Sequence, residues 1–270
     1  MEPEPVNHKP TSSTADIVAE AQRRQQTQHR KTVSASQQRR VIRLNRAVLW
    51  LSYHWLALFN LIVGLYMTGA ILPPIFMKMG YNRAAQIGYA FYDVACHQYP
   101  FRSWFLFGQK FTYPLEEPPT IIEMNASSHF VGNETVGYKV ALCQRDMAIY
   151  GIISLAGVWY GVQRKRHTVA PLPIWLYFIF GIMPIMLDGG IQWLSEVLKM
   201  YFPAWLAYPF ETIPAMRVLT GALFGAGIVA ATYPIIDEYF VDIQTVLKEK
   251  LNRIANNSSS TLNDLNSNID

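Results

Sequence analysis

Residues 47–72 read AVLWLSYHWLALFNLIVGLYMTGAIL. A helix rises about 1.5 Å per residue and needs roughly 20 apolar residues to cross a hydrocarbon core, and this run exceeds that length. Pro73-Pro74 follows and is expected to end the helix. His54 and Asn60 lie inside the run, where polar groups need partners. His54 reads as a neutral histidine hydrogen-bonded against a neighbouring helix.

The composition of the whole chain agrees with a membrane setting. Of 270 residues, 51% are hydrophobic and only 16% are charged, against roughly 25% in soluble domains. The polar residues gather at the two ends. The net charge of +4 does not indicate nucleic acid. Arg39, Arg40, Arg43 and Arg46 precede the first apolar run, and Arg164, Lys165 and Arg166 follow the second, which is the pattern that membrane orientation produces. Two cysteines are too few for a disulfide scaffold. The first 40 residues are polar, and no small-residue cleavage site follows the first apolar run, so no cleavable signal is expected.

The fold class expected is all-α and polytopic: about four transmembrane helices with short interfacial or re-entrant helices. The spans are residues 47–72, 147–162, 171–187 and 218–236. The stretch 84–96 is too short to cross comfortably and suits an interfacial helix. Residues 112–139 read as a polar loop, carrying the glycosylation patterns Asn125-Ala126-Ser127 and Asn133-Glu134-Thr135. Asp188-Gly189-Gly190 is expected to break the third span. Pro203, Pro209, Trp205 and Tyr208 mark an aromatic connection before the fourth. Three regions follow: a disordered cytoplasmic tail over 1–38, a transmembrane domain over 39–240, and an amphipathic helix with a disordered tail over 241–270. With the basic clusters cytoplasmic, both termini are cytoplasmic, and Cys96, Cys143 and Asp188 face outward in a cell membrane. The lipid bilayer is the first partner. A homo-oligomer or a larger membrane complex is the second.

Two polar clusters interrupt this apolar sequence: Cys96-His97-Gln98-Tyr99-Pro100-Phe101-Arg102-Ser103 and Cys143-Gln144-Arg145-Asp146. The first, continued to Phe105, resembles the opening signature of a family of small prokaryotic membrane proteins known as a domain of unknown function. Cys143-x-Arg145-Asp146 leading into Ile149-Tyr150-Gly151 is similar to its second signature. Asp188-Gly189-Gly190-x-Gln192 resembles the third, and Glu211, Arg217 and Thr220-Gly221-x-Leu223-Phe224-Gly225 the last. The resemblance covers residues 91–236. It implies a shared fold and a shared polar site without implying an activity. The loop between the cysteines and the segment between Gln192 and Arg217 are longer than the resemblance leads one to expect.

The site residues expected on this basis are His97, Gln98, Arg102, Arg145, Asp146, Asp188, Gln192, Glu211 and Arg217. They would line an outward polar cavity, with pairs such as Arg217 with Asp188 or Arg145 with Glu211. The plain alternative is that these groups neutralise one another and lock helix packing. Cys96 and Cys143 are candidates for a disulfide in an oxidising compartment. The second reading, ranked below the disulfide, is a metal site with His97 and Asp146, since zinc accepts sulfur, nitrogen and oxygen ligands. A Cys96 nucleophile activated by His97 is the weakest reading, because sequence neighbours seldom reach hydrogen-bond geometry.

Three function classes remain open. The first binds or transports a small polar or anionic solute through Arg102, Arg145 and Arg217. The second is a membrane-embedded, metal-dependent enzyme acting on a lipid-linked substrate through Asp146, Asp188 or Glu211. The third is a structural subunit of a membrane complex. The sequence holds no P-loop, GxGxxG, HExxH or haem motif, which speaks against nucleotide hydrolysis, dinucleotide redox chemistry and zinc-protease activity.

Overall fold

The computed structural model describes residues 35–113, 129–201 and 211–266. The sequon at Asn125 and the aromatic connection with Trp205 and Tyr208 lie outside the described residues, as does most of the expected N-terminal tail. Contacts divide the chain into two compact units. One comprises Trp50–Glu249. The other comprises Met1–Leu49 with Lys250–Asp270, and its described parts are helical. All the contacts below belong to the first.

The protein is mainly helical. Helix α1 (Ala35–Gly69) is followed by two short helices, α2 (Leu72–Lys78) and α3 (Asn82–Asp93). Pro73-Pro74 does not itself end α1. The helix stops at Gly69, and the prolines open α2, where their missing N–H groups would be unbonded anyway. A 3-10 turn (Pro100–Arg102) leads into a small antiparallel sheet of β1 (Ser103–Leu106), β2 (Gly132–Asn133) and β3 (Gly137–Cys143), in the order β1-β3-β2. Helix α4 (Gln144–Gln163) starts where β3 ends. Helix α5 (Ile174–Tyr177) passes through a π-helical turn (Phe178–Ile182) into α6 (Met183–Tyr201), and α7 (Pro214–Asn266) ends the fold.

Three helical stretches are long and apolar enough to cross a membrane: Ser36–Lys78, Ile174–Ser195 and Pro214–Asn256. They coincide with the first, third and fourth of the expected spans. Helix α4 has the length, at 20 residues, but Gln144, Arg145, Asp146 and Gln163 at its ends dilute its apolar character. The stretch at 84–96 is not among them. It forms α3, whose Ala85, Tyr89 and Tyr92 pack toward β3. The expected break at Asp188-Gly189-Gly190 is absent, because α6 runs through it; the irregular turn lies earlier, at Phe178–Ile182.

Helix α7 is the best-enclosed span, with 44% of its apolar window buried against 17% for each of the other two. It joins the expected fourth span and the expected amphipathic helix into one element, and it continues through Pro234. Proline lacks the N–H that would bond the carbonyl four residues back. That carbonyl, on Ala230, accepts instead from the Leu172 N–H at 2.9 Å. The helix also runs to Asn266, beyond Asn256, where an irregular tail is expected.

A small sheet accompanies the helices. Ser103 pairs with Cys143 and Phe105 with Lys139, with a bulge between them. The Ala141 N–H donates to the Ala70 carbonyl at 3.0 Å, and the Tyr89 hydroxyl donates to the Lys139 carbonyl at 2.7 Å. These bonds fix the sheet to the end of α1 and to α3. They hold Cys143 at the mouth of α4, which is what positions the site.

Candidate functional site

Helix α7 approaches α4 closely enough to put backbone against backbone. A Cβ added at Gly221 would lie 2.6 Å from the Arg145 carbonyl oxygen, and one at Gly225 would lie 2.6 Å from that of Ile149. Small residues four apart permit this approach between helices. It brings the start of α7 against the start of α4, and the polar residues at both starts meet there.

Arg102, on the 3-10 turn, and Arg217, on α7, converge on Glu211. Arg102 Nε donates to both carboxylate oxygens, at 3.2 and 3.1 Å, and its Nη2 donates to Oε1. Arg217 Nη2 donates to Oε2 at 2.7 Å. Arg217 Nη1 reaches the Phe101 carbonyl at 2.9 Å and Gln144 Oε1 at 3.2 Å. Gln144 is fully buried and donates in turn to the Ser103 carbonyl at 3.1 Å. The Arg102 guanidinium also lies over the Tyr99 and Phe101 rings, 5.2 Å from each centroid, a cation–π arrangement.

A second pair adjoins the first. Arg145 donates to Asp188 Oδ2 from Nε at 3.1 Å and from Nη2 at 2.5 Å, and Nη2 also meets Gln192 Oε1 at 2.8 Å. Thr220 Oγ1 donates to Asp188 Oδ2 at 2.9 Å, and Gln192 Nε2 donates to Thr212 Oγ1 at 2.7 Å. Asp188, Gln192, Arg217 and Thr220 are all buried. The pairs are exchanged relative to the sequence expectation: Arg217 serves Glu211, and Arg145 serves Asp188. Among the described residues, Asp188 Oδ1 and Arg217 Nε are buried without a hydrogen-bond partner. The described ion pairs of the cluster join three arginines to two carboxylates.

Asp146, Gln98 and His97 stand elsewhere. Asp146 belongs with the cysteines: the two Sγ atoms and an Asp146 carboxylate oxygen all lie within 4.8 Å of one another. Cys143 caps α4 and accepts from the Asp146 N–H at 3.5 Å. Both cysteines are free thiols. A hydrogen bond from Cys143 holds the Cys96 thiol below its usual range against the effect of burial. The same bond, with burial, pushes the Cys143 thiol well up. Gln98 is buried with φ 51°, and its side chain donates to the Tyr89 carbonyl at 2.7 Å. His97 is exposed and stacks on Tyr99, so it joins neither cluster. Its side chain diverges from that of Cys96, as adjacent residues in extended chain do.

Sequence reasoning missed two features here. Lys139 is wholly buried on β3, and its Nζ donates to the Gln98 carbonyl at 2.7 Å. Burial pushes its ammonium down to about 8, while Cys96 and Asp93 pull it back up. A lysine in a stretch read as polar loop gave no signal. The other is a polar knot around Asp237 of α7. Arg164 Nη1 donates to Oδ1 at 2.5 Å, Trp55 Nε1 to Oδ1 at 3.1 Å and the Tyr160 hydroxyl to Oδ2 at 3.4 Å. A cavity of about 440 Å³ opens beside it, lined by Arg164, His167, Asp237 and Glu238 among others. His54 belongs to neither cluster. It is exposed, stacks on Trp50 and bonds the Trp50 carbonyl of its own helix at 2.8 Å.

Residues 134–231 match the family model described as Predicted membrane protein (DUF2085). The chain is similar to that family from the turn after β2 through the apolar half of α7, a stretch that holds Cys143, Arg145, Asp188, Glu211 and Arg217 but stops short of Cys96–Arg102. No curated protein and no solved structure matches the chain.

Proposed function

We propose that this membrane protein binds a small anionic solute at the Arg102–Arg217 pair, outside the bilayer. The observation that carries the reading is the convergence of two arginines from different elements on one carboxylate. Arginine forks suit carboxylate and phosphate oxygens, so Glu211 occupies the position that a solute anion would take. The unbonded Arg217 Nε–H is a further donor for an anion. The helices supply the setting. Arg145 and Arg164 lie nineteen residues apart on α4, about 28 Å of helix, and each pairs with a carboxylate on a neighbouring helix. That separation is close to the roughly 30 Å of a hydrocarbon core, which favours α4 as a fourth crossing. By the positive-inside rule, the basic residues Arg164–Arg166 support a cytoplasmic reading of the Asp237 end and of both termini.

The test uses the purified full chain in detergent with acetate, sulfate and inorganic phosphate as probes. Thermal stability should rise with at least one of them. Glu211→Gln should strengthen that response by freeing both arginines, and Arg217→Lys should weaken it. If no probe shifts stability in either the natural protein or Glu211→Gln, the binding reading fails.

A second reading rests on a different observation: all five charged groups already bond one another. On that reading the cluster sets helix packing and takes no solute.

A further inference from the structure

We propose that Cys96, Cys143 and Asp146 form a binding site for a borderline-soft divalent cation of the zinc class. The proposal is independent of the anion reading, since it uses none of its residues.

The three ligand atoms come together from separate elements. Cys96 follows α3, Cys143 ends β3 and caps α4, and Asp146 stands on the first turn of α4. Bonds of about 2.3 Å to sulfur and about 2.0–2.2 Å to oxygen set tetrahedral ligands roughly 3.5–3.8 Å apart. The three atoms lie within 4.8 Å of one another, so closure onto an ion needs side-chain adjustment of about an ångström and no backbone rearrangement. Three protein ligands leave a fourth position for water or another ligand. Cys96 is buried while Cys143 and Asp146 are only partly so, which leaves the ion a way in.

The surroundings are those of a thiolate site. The Asp146 N–H bonds the Cys143 sulfur, and the backbone N–H groups of Gln98 and Cys143 bear on the Cys96 sulfur. Outer hydrogen bonds of this sort orient metal ligands and stabilise their charge. The Gln98 turn is held in a left-handed conformation that a glutamine rarely adopts. Two bonds fix it there, its side chain to Tyr89 and its carbonyl to Lys139. Strain kept in place by its neighbours is a mark of functional positions. Tyr66 and Tyr150 pack against the cluster and wall it on the α1 side.

The third group decides between a metal and a disulfide. An ion would use all three ligand atoms that converge here. A Cys96–Cys143 disulfide would consume both sulfurs and leave Asp146 and the N–H donors without a role. His97 is excluded as a ligand because it lies outside the cluster.

The experiment measures zinc on the full chain purified in detergent without chelator or thiol reductant, with thiols counted before and after unfolding. The expected result is stoichiometric zinc, with both thiols appearing only on unfolding in the presence of chelator. Cobalt substituted into the natural protein should show thiolate-to-metal absorption, a readout that needs no variant to fold. Asp146→Asn should weaken zinc binding at least about 10–100-fold, the loss that even an outer-shell partner causes, and His97→Ala should leave it unchanged. Absence of thiols after unfolding would identify a disulfide and overturn the proposal. So would cobalt without thiolate absorption, or zinc binding that Asp146→Asn leaves intact.

Discussion

Replacing Asp188 by asparagine tests whether the arginine–carboxylate pairs bind the helices together. The Asp188 side chain is only 4% exposed and accepts two bonds from Arg145 and one from Thr220. At the 3.1 Å separation of Arg145 Nε from Oδ2, and an effective dielectric of about 20, the gross attraction is about 5 kcal/mol. Breaking a buried pair by removing one partner typically costs about 3–5 kcal/mol, because the other charge is left uncompensated. Asp188→Asn and Arg145→Gln should therefore each destabilise by about that amount. The double variant removes both charges together and should cost little more than the worse single variant. The coupling would then be about 3 kcal/mol. Reversible unfolding in mixed detergent micelles measures all four corners of the cycle. If the double variant equals the sum of the singles within about 0.5 kcal/mol, the two residues act independently and the lock does not exist.

Two further outcomes follow from the glycines. Gly221→Val and Gly225→Val should each lower the melting temperature, since their Cβ atoms meet the α4 backbone, and overpacking of this kind costs about 1–3 kcal/mol; unchanged melting would mean that α4 and α7 do not approach at these residues. Gly190→Ala should do the reverse. Nothing lies within 4 Å of a Cβ there, and within a continuous α6 alanine is favoured over glycine by about 0.8–1.0 kcal/mol, so a destabilised variant would restore the helix break at Asp188-Gly189-Gly190.

The sequence made the spans legible because apolar length is a one-dimensional property. Of the nine polar residues it singled out, Arg102, Arg145, Asp188, Gln192, Glu211 and Arg217 lie together, joined by Gln144, Thr212 and Thr220, while His97, Gln98 and Asp146 stand elsewhere. Which arginine serves which carboxylate was not legible. The choice depends on the rotation of α7 against α4, and that is set by Gly221 and Gly225 meeting two carbonyls. How α7 passes through Pro234 was not legible for a similar reason. Its cost to a helix is local, but the partner that removes the cost, the Leu172 N–H, is sixty-two residues away in sequence. The sheet was hidden because β3 is buried along nearly its whole length, and its Lys139 made it look solvated.

The two polar knots explain together what apolar burial could not. Lipid tails are as apolar as leucine, so helices in a bilayer gain little from hiding apolar surface on one another. Close packing and polar contacts must hold them instead. Helices α4 and α7 have both: glycines in the middle, Arg145 with Asp188 and Thr220 at one end, and Arg164 with Asp237 at the other. The ends differ in kind. At the Asp237 end one guanidinium and two neutral donors meet one carboxylate, and both of its oxygens are bonded. At the Asp188 end, among the described residues, the donor Arg217 Nε and the acceptor Asp188 Oδ1 are both buried without a partner. A knot that only fastens helices has no need to leave a donor and an acceptor buried and unbonded, since each costs the desolvation of a polar group. The Asp188 end is therefore where a polar ligand should be sought first.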